Sequence, residues 1–170
     1  KDLGFEKDQV VMVKGTDALG DRINVFKEEI LQIANVKSAS ISDYVPVEEG
    51  RRYSDSFWKD GRQSVEQGIN AQIWQVDHDY IQTMGLNIIQ GRGFREGNTS
   101  DSTGIVVSKS LMEKLSLEKG IGSFIGTKEN SWEVIGVIED FHFESLKNEI
   151  TPSCLVLAKS PSIISVKVSS

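Results

Sequence analysis

The run Glu139-Asp140-Phe141-His142-Phe143-Glu144 holds three carboxylates and one of the chain's two histidines. Carboxylates beside an imidazole are the groups general acid–base chemistry uses. A catalytic constellation also needs a nucleophile with its base in separate roles, and no second cluster in the sequence supplies one. The favoured reading is a strand end passing into a polar loop, with Phe141 and Phe143 as core anchors. Asp77-His78-Asp79 is the other acidic–imidazole group. Adjacent side chains point in different directions and rarely converge on one ion. Asp77 instead suits a helix cap, and Asp79 the first-turn dipole. Two tryptophans, Trp58 and Trp74, flank a hairpin signal and read either as a sugar or peptide platform or as cross-strand packing. Arg92 stands in Gln90-Gly91-Arg92-Gly93-Phe94, where the two glycines lack the following GK[ST] of a phosphate loop. The residues therefore point to no catalytic centre, no metal site and no cofactor. Trp58, Trp74 and Arg92 remain as candidate ligand or partner contacts.

The elements that would position these groups follow from periodicity. Val10-Val11-Met12-Val13 is a short strand. Ile23, Phe26, Ile30 and Ile33 recur at helical spacing, with Lys27, Glu28, Glu29 and Gln32 on the opposite face. Asp21 is the expected N-cap and Asn35 the stop. Val36, Ala39 and Ile41 start a second strand, which makes a β-α-β unit with a parallel pair. Residues 46–56 read as a loop and a subdomain boundary. Phe57-Trp58 and residues 70–76 form a hairpin around Asp60-Gly61, on which Trp58 and Trp74 would face each other. A short helix opens at Asp77 and ends at Gly85. Residues 86–89 are a strand, residues 95–103 a polar loop, and residues 105–107 a strand. Ser108 caps a helix carrying Leu111, Met112 and Leu115. Val134, Ile135, Val137 and Ile138 form a buried strand, in which Gly136 marks a bulge or a close backbone approach. Residues 145–150 suit one helical turn before Thr151-Pro152. Residues 155–157 and 163–168 close the chain as strands.

Composition limits the classes. The chain has 170 residues, 38% hydrophobic and 26% charged, which suits one folded domain or two small subdomains. A net charge of -6 argues against nucleic acid, whose phosphates need a clustered basic surface. The single cysteine, Cys154, sits in an apolar run and reads as a buried small hydrophobe. No stretch reaches the roughly 18 apolar residues of a membrane span. The chain opens on Lys1 without an initiating methionine, which reads as a segment of a longer protein.

Three blocks carry a resemblance. They are VDHDYIQTMGLNIIQGRGF, GIVVSKSLMEKLSLEKGIGSFI and WEVIGVIEDFHFESLKNEITP, in that order. Together they resemble the extracytoplasmic core domain of MacB-like, FtsX-type ABC transporter permeases, nearest the Bacteroidetes-type versions, over residues 3–169. The chain departs from that pattern at His78 and Gly120, where proline is common, and at Ser108-Lys109, where Asn-Glu is frequent. The resemblance implies an α+β fold in two lobes. Residues 1–44 and 155–170 would form a small porter-like β-α-β layer, incomplete at its C-terminal end. Residues 45–154 would form an inserted mixed α/β lobe. It further implies a non-catalytic domain on the periplasmic face of the bacterial inner membrane, part of an integral membrane protein. Its partners would be its own transmembrane helices, a cytoplasmic ATPase subunit or domain, and a periplasmic adaptor or lipoprotein. The full permease would be dimeric and the isolated domain monomeric. The alternative is a soluble small-ligand or peptide-binding module.

Overall fold

The computed structural model describes residues 10–43, 53–60, 63, 65–141, 150–157 and 163–169. Three strands and one helix make the first group: β1 (Val10–Val13), α1 (Ile23–Leu31), β2 (Val36–Ser42) and β10 (Ile163–Val168). The remaining strands are β3 (Ser54–Lys59), β4 (Ile69–Val76), β5 (Ile88–Gly91), β6 (Gly104–Ser108), β7 (Phe124–Gly126), β8 (Ser131–Ile138) and β9 (Ser153–Leu157). Among them lie two short helices, α2 (Tyr80–Thr83) and α3 (Lys109–Lys114).

The expected β-α-β unit is split. β10 lies between β1 and β2 and runs antiparallel to both, so the two parallel strands never touch. Alternate residues of β2 and β10 then face α1. Ala39, Ile41, Ile164 and Val166 pack with Ile23 and Ile30 in one buried cluster. The other face of β2 carries Ser38, Ser40 and Ser42, and β10 adds Ser165; the last three are fully buried. Helix α1 starts later than its sequence suggests. A 3-10 turn, Thr16–Arg22, precedes it, and Arg22 rather than Asp21 holds the capping position. Ile33 falls beyond the helix and is 58% exposed. Asn35 takes a left-handed φ of 72°, a conformation asparagine tolerates, and that ends the turn.

The rest of the sheet closes on itself. β4 pairs β3, β3 pairs β7, β7 pairs β8, β8 pairs β6, β6 pairs β9, and β9 returns to β4. Phe57, Ala71, Ile73, Ile105, Val107, Ile125, Val134, Val137 and Cys154 form one cluster within this ring. Helix α3 lays Leu111 and Leu115 against the same cluster. Ser108 builds that helix start, because its Oγ accepts from Leu111 N at 3.3 Å and also from Ser153 N at 3.0 Å. A second cluster lies outside the ring, where Trp74, Val76, Val106, Ile138 and Leu155 are covered by Tyr80, Ile81, Met84, Leu86, Phe94 and Phe141. Each such side chain stabilises the fold by about 1.5–3 kcal/mol when fully buried.

Gly136 is where two backbones meet. A Cβ there would lie 2.1 Å from the Arg92 carbonyl oxygen, and the β6–β8 register slips beside it. The residue pattern had also suggested a strand over 86–89; the paired segment is 88–91, held to β8. β9 runs through Leu157 against Val76, so residues 155–157 pair with the ring strands and not with β1 or β2. The turn expected over 145–150 lies outside the described residues.

Candidate functional site

The two groups of strands meet along a narrow seam. Among the described residues one β2–β4 register pair is found, Ser42 with Val76, flanked by Asp43 N donating to Gln75 O at 3.0 Å and Asp77 N donating to Ile41 O at 2.9 Å. At this seam Lys27 of α1 turns inward and is 5% exposed, although its helical position placed it on the polar face. Its Nζ donates to Asp77 Oδ2 at 2.9 Å and to Asp79 Oδ2 at 2.5 Å. Asp77 is further held by Ser40 Oγ at 2.7 Å, by Ile41 N at 2.9 Å and by Asp79 N at 3.1 Å. Thr83 Oγ1 donates to Ser38 Oγ at 3.1 Å, so α2 joins β2 through hydroxyls as well. Burial pushes the Lys27 ammonium down, but its hydrogen bond to Asp79, with the charge and hydrogen bond of Asp77, outweighs this and holds it above the ordinary lysine value. The cluster can bear load, because it fixes α1 and β2 to the corner between β4 and α2.

Among the described acidic and aromatic candidates, Asp140 and Phe141 have structural contacts. Asp140 Oδ1 accepts from Ser110 N at 3.0 Å and so serves the α3 N-terminus. His142 and Glu144, with Phe143, lie outside the described residues. Phe141 is 3% exposed and meets Trp74 edge-on at 6.2 Å between ring centres. Asp77 bonds Lys27 and β2 more than it caps α2, whose capping position is held by Asp79 without a side-chain bond. His78 Nε2 lies 3.1 Å from Asp79 Oδ2. Among the described residues no group of three or more histidines, cysteines, aspartates and glutamates could hold a metal ion.

Trp58 and Trp74 do not face each other. The β3–β4 register pairs Phe57 with Ile69, and Trp58 pairs with Gly126 on β7. Trp74 pairs in parallel with Leu155 and is 2% exposed, so its ring offers no face to a ligand. Trp58 is 9% exposed and its Nε1 donates to Glu66 O at 2.8 Å. Arg92 grips Asp101 with both terminal nitrogens, at 2.9 and 2.7 Å. Asp101 is fully buried and also accepts from Arg95 N at 2.7 Å and Asn98 Nδ2 at 3.1 Å. The Arg92 guanidinium holds the Asp101 carboxyl below the usual carboxylate range in spite of its burial. The pair fixes the loop that follows β5, a packing duty that the Gly-Arg-x-Phe pattern does not disclose.

The family model for the MacB-like periplasmic core domain matches residues 3–160. The chain belongs to that family. This periplasmic core domain also shares its fold with solved structures. The periplasmic region of MacB from Actinobacillus actinomycetemcomitans superposes with a TM-score of 0.64 at 14% identity, covering 98% of this chain and 77% of that one. The extracellular domain of the noncanonic ABC-type transporter YknZ from Gram-positive bacteria gives 0.59 at 17% identity, covering 94% of this chain and 74% of that one. No curated protein matches this chain. The core domain is thus of the ABC transporter permease kind, and it lies on the extracytoplasmic side of the membrane. No helix among the described residues is long and apolar enough to cross a membrane.

Sequence reasoning missed Lys27 and Asp101. Lys27 carried a usable signal: it lies between Phe26 and Ile30, next to the apolar stripe, while Asp77 and Asp79, read as a cap and a first-turn charge, stand downstream. Asp101 stands in a polar loop among serines and threonines, and nothing in its neighbours distinguishes it.

Proposed function

We propose that this core domain is a non-catalytic transmitter of motion in an ABC permease, built as two lobes that move against each other. One lobe comprises β1, α1, β2 and β10; the other comprises the ring strands with β5, α2 and α3. This reading moves the division expected after residue 154 to after Leu157, and the pairing of β9 with β4 and β6 supports it. The observation that carries this reading is the Lys27–Asp77–Asp79 cluster, a partly buried ion network between groups of strands that share one β2–β4 register pair among the described residues. The facing surface is rich in small hydroxyls, Ser38, Ser40, Ser42 and Thr83, where an immobile core would use aliphatic side chains. Such contacts re-form in a second arrangement at low cost, as a two-state element requires. ATP binding by the cytoplasmic ATPase would move the membrane helices and bias that equilibrium. An adaptor or lipoprotein outside the membrane would meet the lobes, in a permease that pairs in the membrane.

The test uses spin labels on cysteines introduced at the exposed Val25 of α1 and the exposed Glu118 beyond α3. Cys154 is fully buried and does not compete for label. In the full permease, the distance between labels is expected to change between the ATP-bound and nucleotide-free states. Lys27→Met is expected to broaden the distribution in both. One sharp distance, indifferent to nucleotide, defeats the reading.

A further inference from the structure

His78 stands at the corner between β4 and α2, with its side chain 30% exposed. Its Nε2 lies 3.1 Å from Asp79 Oδ2 and 3.7 Å from Glu96 Oε2. That Asp79 oxygen is the same one that takes the Lys27 ammonium at 2.5 Å, so one carboxylate oxygen serves both an ammonium and an imidazole. Glu96 belongs to the loop after β5 and is 84% exposed. Among the described residues it has no other ion-pair partner. The charged groups facing the imidazole are thus Asp79 on its own corner, Glu96 from the loop, and Lys27 of α1 with Asp77 behind the shared oxygen. Arg95, next to Glu96, acts on Asp101 instead.

A neutral imidazole and a charged one act differently in this place. A neutral ring brings to Nε2 either one N–H, which serves one carboxylate, or a lone pair, which repels both. An imidazolium brings an N–H and a full charge to the two carboxylates at once. Imidazole is also the side chain whose charge changes between about pH 5 and 8. We propose that His78 is an acid-operated tie. Once protonated, it bridges Asp79 and Glu96 and extends the Lys27–Asp79 pair into a chain of charges from α1, through the corner, to the loop after β5. The Asp79 oxygen has a lone pair for each cation, so the tie adds to the Lys27 bond and does not replace it. The far end of the same loop is already anchored, by Asp101 on Arg92. Acid therefore joins α1 to an anchored loop, and loss of the proton opens the link at Glu96.

The experiment is a double-mutant cycle on the 170-residue chain, His78→Gln against Glu96→Gln, read by urea unfolding at about pH 5.5 and about pH 8. Both side chains reach solvent, so the variants keep the fold. The non-additive part of the midpoint shift is expected to be about 0.2 M at the lower pH, the size of an exposed ion pair, and absent at the higher one. Salt at about 1 M is expected to abolish it. Carbon-13 NMR gives a second readout. The Glu96 carboxylate signal is expected to shift in step with the His78 imidazole and to lose that step in His78→Gln. His142→Gln tells the chain's two imidazole signals apart. An additive cycle at the lower pH, a coupling of equal size at both, or a Glu96 signal indifferent to the imidazole overturns the proposal.

Discussion

Replacing Lys27 with methionine removes the ammonium and keeps most of the stem's volume. Deleting one partner of a buried ion pair costs about 3–5 kcal/mol, because the other charge stays buried without its counterion. Two observations place this variant at the lower end. Asp77 keeps its bonds from Ser40 Oγ, Ile41 N and Asp79 N. The Asp79 side chain is 33% exposed and turns to water. The expected loss is about 3 kcal/mol. Asp79→Asn leaves Lys27 on Asp77 and is expected to cost only about 1 kcal/mol, since the carboxylate it removes is partly solvated. Urea unfolding followed by tryptophan fluorescence reads both. With a slope of about 2 kcal/mol/M, the Lys27→Met midpoint falls by about 1.5 M at an unchanged slope. The same charge gives an alkaline signature. The folded-state value of Lys27 is raised, so its contribution is whole below the unfolded value of about 10.4 and is lost as pH rises through the folded one. The gap between the native chain and Lys27→Met should therefore hold from neutral pH to about pH 10 and narrow above it. A loss below about 1 kcal/mol, or an Asp79→Asn loss equal to that of Lys27→Met, refutes the reasoning that Lys27 carries a desolvated charge shared between the lobes.

Asp101→Asn leaves the Arg92 guanidinium without its carboxylate; that side chain is 30% exposed and turns to water, so the expected cost in the same unfolding assay is about 1.5–3 kcal/mol. The folded-state Asp101 value is lowered, so its contribution is present above the unfolded value of about 3.9 and is lost as pH falls through the folded one; the difference between native and variant should be flat from about pH 5 to 8 and close below about pH 4. Ser116 holds a left-handed φ of 52° just past α3, where its N–H bonds Glu113 O and the Leu117 N–H bonds Met112 O. Ser116→Gly removes the Cβ penalty at the cost of a freer unfolded chain, and is expected to raise stability by about 0.5–1 kcal/mol in calorimetry.

Local rules made several features legible. Ser108 before Leu111 announced a cap and proved to be one, and the β-branched run around Gly136 announced both a buried strand and a close backbone approach. Register was the obstacle elsewhere. The hairpin signal around Asp60 found β3 and β4, but which tryptophan meets which strand depends on how β7 and β9 pair with them, and those partners lie far along the chain. The split of the first β-α-β unit has the same origin, since β10 arrives more than a hundred residues after β2. Lys27 was misplaced because helical periodicity assigns a charged residue to water, and only the pair of aspartates beyond β4 makes the inward rotamer tolerable. Asp101 shows the limit of composition, for a buried carboxylate in a polar loop is told from a solvated one by the donors that meet it, Arg92, Arg95 N and Asn98, and not by its neighbours' types.

The closed ring also dictates an order of events during folding. β9 is its last member in sequence, and it must seat between β4 and β6, both made long before it. Until residues 153–157 arrive, β4 and β6 each present an edge without β9, and the cluster of Phe57, Ile73, Val107 and Val134 lacks Cys154. Long-range pairing of this kind is slow, and open edges beside apolar surface invite wrong partners. Ser108 couples the closure to the start of α3, because one hydroxyl serves both Leu111 N and Ser153 N. A chain made from its N-terminus onward thus holds most of its length in waiting, and completes its largest core only when a five-residue strand near its end slots into place.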